Sequence, residues 1–172
     1  MSKYFLALAA ALLASFTLIV RSWDIAPGYS IKFDGKYAHG TFKKLSGSIH
    51  FDPLVPEKAA FDVAIEVSSI ETGIDLKNKH AKSEKWFDAE RFPLITFKSS
   101  QVIRADSGYV VSGKLNMHGF EKDIAIPFDF DEEEEIFQGK FKVSRGDFGI
   151  GKVNGKASDS TAVEIFVPVF QK

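Results

Sequence analysis

No cysteine occurs among the 172 residues. That excludes disulfides, thiol catalysis, cysteine-ligated zinc and a lipid anchor attached through sulfur. It leaves an oxidising compartment open, because a domain of this size folds without staples. An excess of one charge is missing too. Twenty-two Lys and Arg stand against 23 Asp and Glu, so no broad basic field suits the chain to nucleic acid. The four histidines, His39, His50, His80 and His118, form no His-x-x-x-His pair or other ligand spacing, which argues against a metal. There is no Gly-x-Ser-x-Gly elbow and no phosphate-binding glycine loop followed by Lys-Ser/Thr. The run Glu132 to Glu135 reads as a solvated turn without the burial that separates two carboxyl pKa values. An enzyme is therefore not expected, nor a cofactor.

Aromatic rings with a polar end are scarce, at 4 Tyr and 2 Trp against 17 Phe. A phenylalanine-rich interior suits a solid core or a lining for an apolar guest, and composition alone does not separate them. The remaining composition is that of an ordinary folded domain, 45% hydrophobic and 26% charged.

Residues 1–22 read as a signal peptide. Lys3 supplies a positive start, and Tyr4 to Val20 carries no charge. Seventeen helical residues reach about 26 Å, marginal for crossing a membrane. Val20 and Ser22 fall at the −3 and −1 positions of a cleavage site before Trp23. Cleavage, leaving 23–172 as one domain in the periplasm or secreted, is the expectation. An uncleaved anchor flanked by Arg21 is the alternative.

Beyond residue 29 the pattern has period two, as strands with one buried face require. Tyr29, Ile31 and Phe33 alternate with Ser30, Lys32 and Asp34, and the same holds for Phe61, Val63, Ile65 and Val67. Eight strands are predicted near 29–36, 41–52, 59–68, 94–105, 108–117, 121–131, 136–144 and 160–171. Asp106-Ser107-Gly108 and His118-Gly119 mark tight turns between antiparallel neighbours. A short lysine-rich helix is expected over Asp75 to Trp86, between strands three and four, and a glycine-broken stretch from Gly146 to Ser160 containing Gly149, Gly151 and Gly155. Eight half-apolar strands without covering helices hide their apolar face by closing on themselves, which also removes the sheet edges. The fold class is thus all-β, an extended eight-stranded antiparallel barrel, with a two-sheet sandwich as the rival.

Several separated blocks carry a family resemblance. They are Ile70-Glu71-Thr72-Gly73, Lys77 to Ser83 followed by Trp86-Phe87, Pro93 to Ser99, Gly113 to Gly119, and Arg145-Gly146-Asp147-Phe148-Gly149. In order and spacing they resemble the YceI-like family of lipocalin-like polyisoprenoid-binding proteins, from about Trp23 to the C-terminus. The family often has an Arg-Asp pair just before the helix histidine, where this chain has Lys77 and Asn78, so the acid's head-group contact does not carry over. The resemblance implies a lipocalin-like barrel with a hydrophobic channel. It also implies a polyisoprenoid, an isoprenoid quinone or another long-chain amphiphile as ligand.

The inward register offers Phe33, Phe51, Ile65, Phe97, Val111, Leu115, Ile126, Phe128 and Phe141 as lining, with His80 as a polar contact near a barrel mouth. Gly47, Gly113 and Gly139 fall on the same register, either to permit strand bending or to leave room for a guest. Arg145 and Asp147 are expected to form a structural ion pair. At about 0.8 kcal/mol per buried methylene, a forty-carbon tail gains on the order of 30 kcal/mol. A bilayer gives a similar gain, so shuttling or storage is favoured over one-way extraction. Transient membrane contact and a homodimer are left open, as is a solid-core interaction module or stress-response protein.

Overall fold

A computed structural model describes residues 20–152 and 159–172. The expected signal segment up to residue 19, and Gly155, lie outside the described residues. The alternating segments become β1 (Ser22–Ile25), β2 (Ser30–Gly35), β3 (His39–Phe42), β4 (Leu45–His50), β5 (Ala60–Glu66) and β6 (Ile70–Glu71). After the helix α1 (Asp75–Lys82) come β7 (Leu94–Arg104), β8 (Tyr109–Met117), β9 (Phe120–Asp131), β10 (Ile136–Ser144) and β11 (Ser160–Gln171). Pairing runs from β1 through β4, β5, β7, β8, β9, β10 and β11, and β11 pairs back onto β1. Eight antiparallel strands therefore close into a barrel, and the sandwich is set aside.

β2, β3 and β6 continue the same wall upward. β2 lies along β11, β3 along β2 and β6 along β3. Residues 22–35, 39–50 and 60–71 thus act as three neighbouring long strands, each broken once at the same level. The expected strand 41–52 is corrected here: it starts at His39, breaks at Lys43 and Lys44, and ends at His50. Side chains replace the missing ladder at this seam. The Tyr29 hydroxyl donates to the Lys43 carbonyl (2.9 Å) and accepts from the Leu45 N–H (3.1 Å). Ser69 Oγ accepts from the N–H groups of Lys43 and Lys44, both at 3.1 Å, and donates to the Glu66 carbonyl at 2.6 Å. Main-chain groups that leave the ladder thereby find side-chain partners.

α1 stops at Lys82, one turn short of the expected Trp86. The Ser83 hydroxyl donates to the His80 carbonyl (2.7 Å), and Ser83 itself is extended. A second tight turn, with the Trp86 N–H on the Ser83 carbonyl, then carries the chain toward β7.

The glycines on the inward register serve close strand contact. A Cβ at Gly47, where φ is +137°, would lie 2.2 Å from the Asp62 carbonyl oxygen. One at Gly113 would lie 2.4 Å from the Lys98 carbonyl oxygen, opposite the bulge between Ser99 and Gln101. These positions let adjacent backbones approach and the wall coil. Gly139 similarly faces the Pro127 carbonyl and Ile165. None of the three borders the interior cavity.

Candidate functional site

The barrel's two ends differ. At one end Phe51, fully buried just after β4, meets the rings of Phe61, Tyr109, Phe128, Phe130 and Phe137 at centroid distances of 5.0–6.3 Å. Most of these contacts are edge-to-face, the arrangement ring quadrupoles prefer. Trp23 packs on Phe130 and donates its indole N–H to the Phe51 carbonyl (2.8 Å), which fixes the plug to β1. Outside the plug, Arg104 donates to the Pro53 carbonyl (2.5 Å) and lies over the Tyr109 ring. The chain is thereby held shut here.

Above the plug lies an interior cavity of about 190 Å3. Its walls are side chains of β2 to β5 and β7 to β11, and the only polar residue among them is Gln138. Seven of the expected lining residues surround it as inward neighbours in the middle of the tube: Phe33, Ile65, Phe97, Val111, Leu115, Ile126 and Phe141. Phe128 lines it too, and at the same time belongs to the plug as part of the cavity floor. Phe51 is corrected: it does not border the cavity but stoppers it, because the loop at Asp52–Pro53 folds its ring under the barrel. Phe42 borders the cavity without having been expected to. The two-residue break at Lys43 and Lys44 shifts parity, so that Phe42 and Leu45 both point inward. The signal was present, since unbroken alternation would have put Lys43 inside.

The other end opens. A second cavity of about 330 Å3 shares Phe33, Phe42, Ile95, Met117, Val143 and Val163 with the first. The two therefore adjoin along the tube, with these six side chains as common wall. The rim of the second includes Lys36, Tyr37, Lys77, His80, Trp86 and Arg145. α1 places His80 here, exposed, as the sequence position within the helix motif led us to expect. The helix is tied to β6 through Asn78. Its side-chain oxygen accepts from the Thr72 N–H (2.8 Å) and hydroxyl (2.7 Å), and its Nδ2 donates to Glu71 Oε1 (3.0 Å). That bond, with a second from the Gly73 N–H, holds the Glu71 carboxyl below the usual glutamate range. Asn78 thus anchors the rim to β6.

Arg145 is almost entirely buried in the wall of the mouth, with its guanidinium 4.8 Å from the Tyr37 ring centre and 5.9 Å from that of Trp86. It donates to the carbonyls of Ile150 (2.6 Å) and Lys152 (2.8 Å) and pairs with buried Asp159. The expected partner Asp147 is corrected to Asp159. The turn Arg145–Phe148 directs the arginine toward β11, where Asp159 sits at the strand's start. His118 closes the adjacent turn, with its Nδ1 2.9 Å from the Phe148 carbonyl oxygen. Among the described residues no helix is long and apolar enough to cross a membrane.

The model of the YceI-like domain family matches residues 23–169. A UPF0312 protein of Photorhabdus laumondii is 30% identical over 119 residues, which cover 69% of this chain and 62% of that protein. Among solved structures, BcnA of Burkholderia cenocepacia superposes with a TM-score of 0.79 at 25% identity, covering 86% of this chain and 99% of BcnA. A polyisoprenoid-binding domain from Saccharophagus degradans, implicated in plant cell wall breakdown, shares the fold with a TM-score of 0.60 at 14% identity, covering 90% and 99% of the two chains.

Proposed function

The chain belongs to the YceI-like domain family, and on that premise we propose that it is an exported carrier that binds a long-chain isoprenoid lipid, an isoprenoid quinone or a similar amphiphile without chemical change. The observation that carries this reading is an almost wholly apolar interior cavity adjoining a mouth with a polar rim. A pocket of that kind rewards a guest with one polar end and one oily end. A charged or hydrogen-bonding group pushed into it would lose its water without gaining a partner. The polyisoprenoid-binding neighbour of the same fold supports the choice of ligand class.

Transient contact with a membrane belongs to the same reading. Ile74 and Leu76 are exposed beside the mouth on or next to α1, in company with Lys77 and Lys79. Apolar side chains flanked by lysines suit the surface of an anionic bilayer. The signal segment 1–22 and a periplasmic or secreted location are part of the proposal, tested by the N-terminal sequence of the protein recovered from its host.

Organic extraction of the purified protein followed by mass spectrometry tests the carrier directly. One lipid per chain is the expected result. A second reading draws on the modest inner volume, below the roughly 300–1,000 Å3 of most small-molecule sites: a filled barrel that works through its outer surface. Protein that is free of lipid and takes none up from vesicles favours that second reading.

A further inference from the structure

Resting on the carrier reading, the geometry points to an anionic head group on the guest, held at the mouth by Lys36 and Lys77, with a single tail of about fifteen to twenty carbons. The outer wall mixes paired and unpaired cations. There Lys44 pairs with Glu66, Lys98 with Asp62, Lys114 with Glu121 and Asp123, and Lys140 with Glu164. Lys32, Lys43, Lys122 and Lys142 are exposed among acids of the same wall without such a pair among the described residues.

What sets the mouth apart is that the side chains lining it carry charge of one sign only. Lys36, Lys77, His80 and Arg145 border the opening, and no Asp or Glu does among the described residues. Among the described residues Lys36 and Lys77, both exposed, have no carboxylate within salt-bridge distance, and Lys36 lies over the Tyr37 ring. Two acids near the opening are engaged elsewhere: Asp159 pairs with Arg145, and Glu71 is held by Asn78 and the Gly73 N–H. Arg145 adds an independent sign. Its Nε–H is buried and has no acceptor among the described residues, on a side chain that lines this same wall. Like charges gathered at an opening with apolar walls focus their field into it, where a counter-charge is attracted more strongly than at an open surface.

Volume sets the tail. A methylene takes about the space of a water molecule, roughly 30 Å3. The inner cavity of about 190 Å3 and the mouth of about 330 Å3 then hold about six and eleven carbons as they stand. The head emerges where the lysines are. A longer isoprenoid requires the lining to move aside.

Delipidated protein titrated with four amphiphiles tests this: hexadecanoate, hexadecyl phosphate, hexadecanol and hexadecanamide, read by native mass spectrometry and competition. The anionic pair is expected to bind at least tenfold tighter than the neutral pair, and the preference is expected to shrink as salt rises. In the double variant Lys36→Gln/Lys77→Gln, with its thermal midpoint measured as a check on folding, the preference should fall to threefold or less. The two anions are compared with each other to separate a carboxylate source from a phosphate source. Equal binding of charged and neutral heads, or a preference that survives the double substitution in a folded variant, overturns the head-group assignment and leaves the carrier intact. Failure of all four to bind, with no larger lipid retained, overturns the carrier reading itself.

Discussion

The two ends of the barrel are built from different chemistry. The shut end is rings packed on rings: Phe51 touches five of them and leaves no surface to water. The open end is made of long cationic side chains, a short helix and a buried arginine fixed by carbonyls and an aspartate. Dense aromatic packing is strong and undirected, whereas the mouth depends on a few directional bonds. This division puts stability at one end and access at the other.

Phe51→Ala attacks the comparison at its strongest point. Truncating a ring with no exposed surface should cost about 3–5 kcal/mol of folding stability, measured as a fall in the denaturant midpoint. Retention of full stability would mean that the plug is not what holds the barrel. Trp86→Ala removes a rim ring that is only partly buried and rests on Tyr37 and Arg145. Here about 1–2 kcal/mol is expected, a fraction of the core penalty, together with faster release of a bound amphiphile in stopped-flow displacement. An unaltered release rate would separate Trp86 from access.

Tyr29→Phe deletes the hydroxyl that bridges Lys43 and Leu45 at the seam. Roughly 1 kcal/mol should be lost. Faster amide exchange is expected at Leu45, whose N–H loses its acceptor, with unchanged exchange in β8 and β9. Acid gives the smallest effect. Because Asn78 and the Gly73 N–H lower the folded pKa of Glu71 from its ordinary value of 4.5, its contribution is present above that value and fades as pH falls through the lower folded one. The stability difference between the wild type and Glu71→Gln should therefore be visible at pH 6 and vanish in strong acid. A difference that grows with acid would reverse the assignment.

Much of the architecture was legible because period two survives in the long barrel strands. Tyr109, Val111, Gly113, Leu115 and Met117 alternate along β8 and all are buried. What alternation lacks is height. It places Phe51 and Phe97 on the same face of the wall, yet one seals the base and the other lines the tube. The seam was hidden for a related reason: the three neighbouring strands break at the same level, and the break at Lys43-Lys44 carries no turn residue. β1 escaped notice because Ser22–Ile25 is too short to display a period. Arg145 was recognised as a pairing residue, but its partner stands 14 residues further along the chain, a separation at which no local pattern selects one acid over another.

The aromatic plug has one more consequence, for traffic. On the proposed carrier reading, a tube sealed at its base is a cul-de-sac, so a guest leaves by the route it took in, and a second molecule cannot push the first out from behind. Exchange becomes single-file, with dwell time rising as the chain to be withdrawn lengthens. Whatever donates and whatever receives must queue at the same doorway.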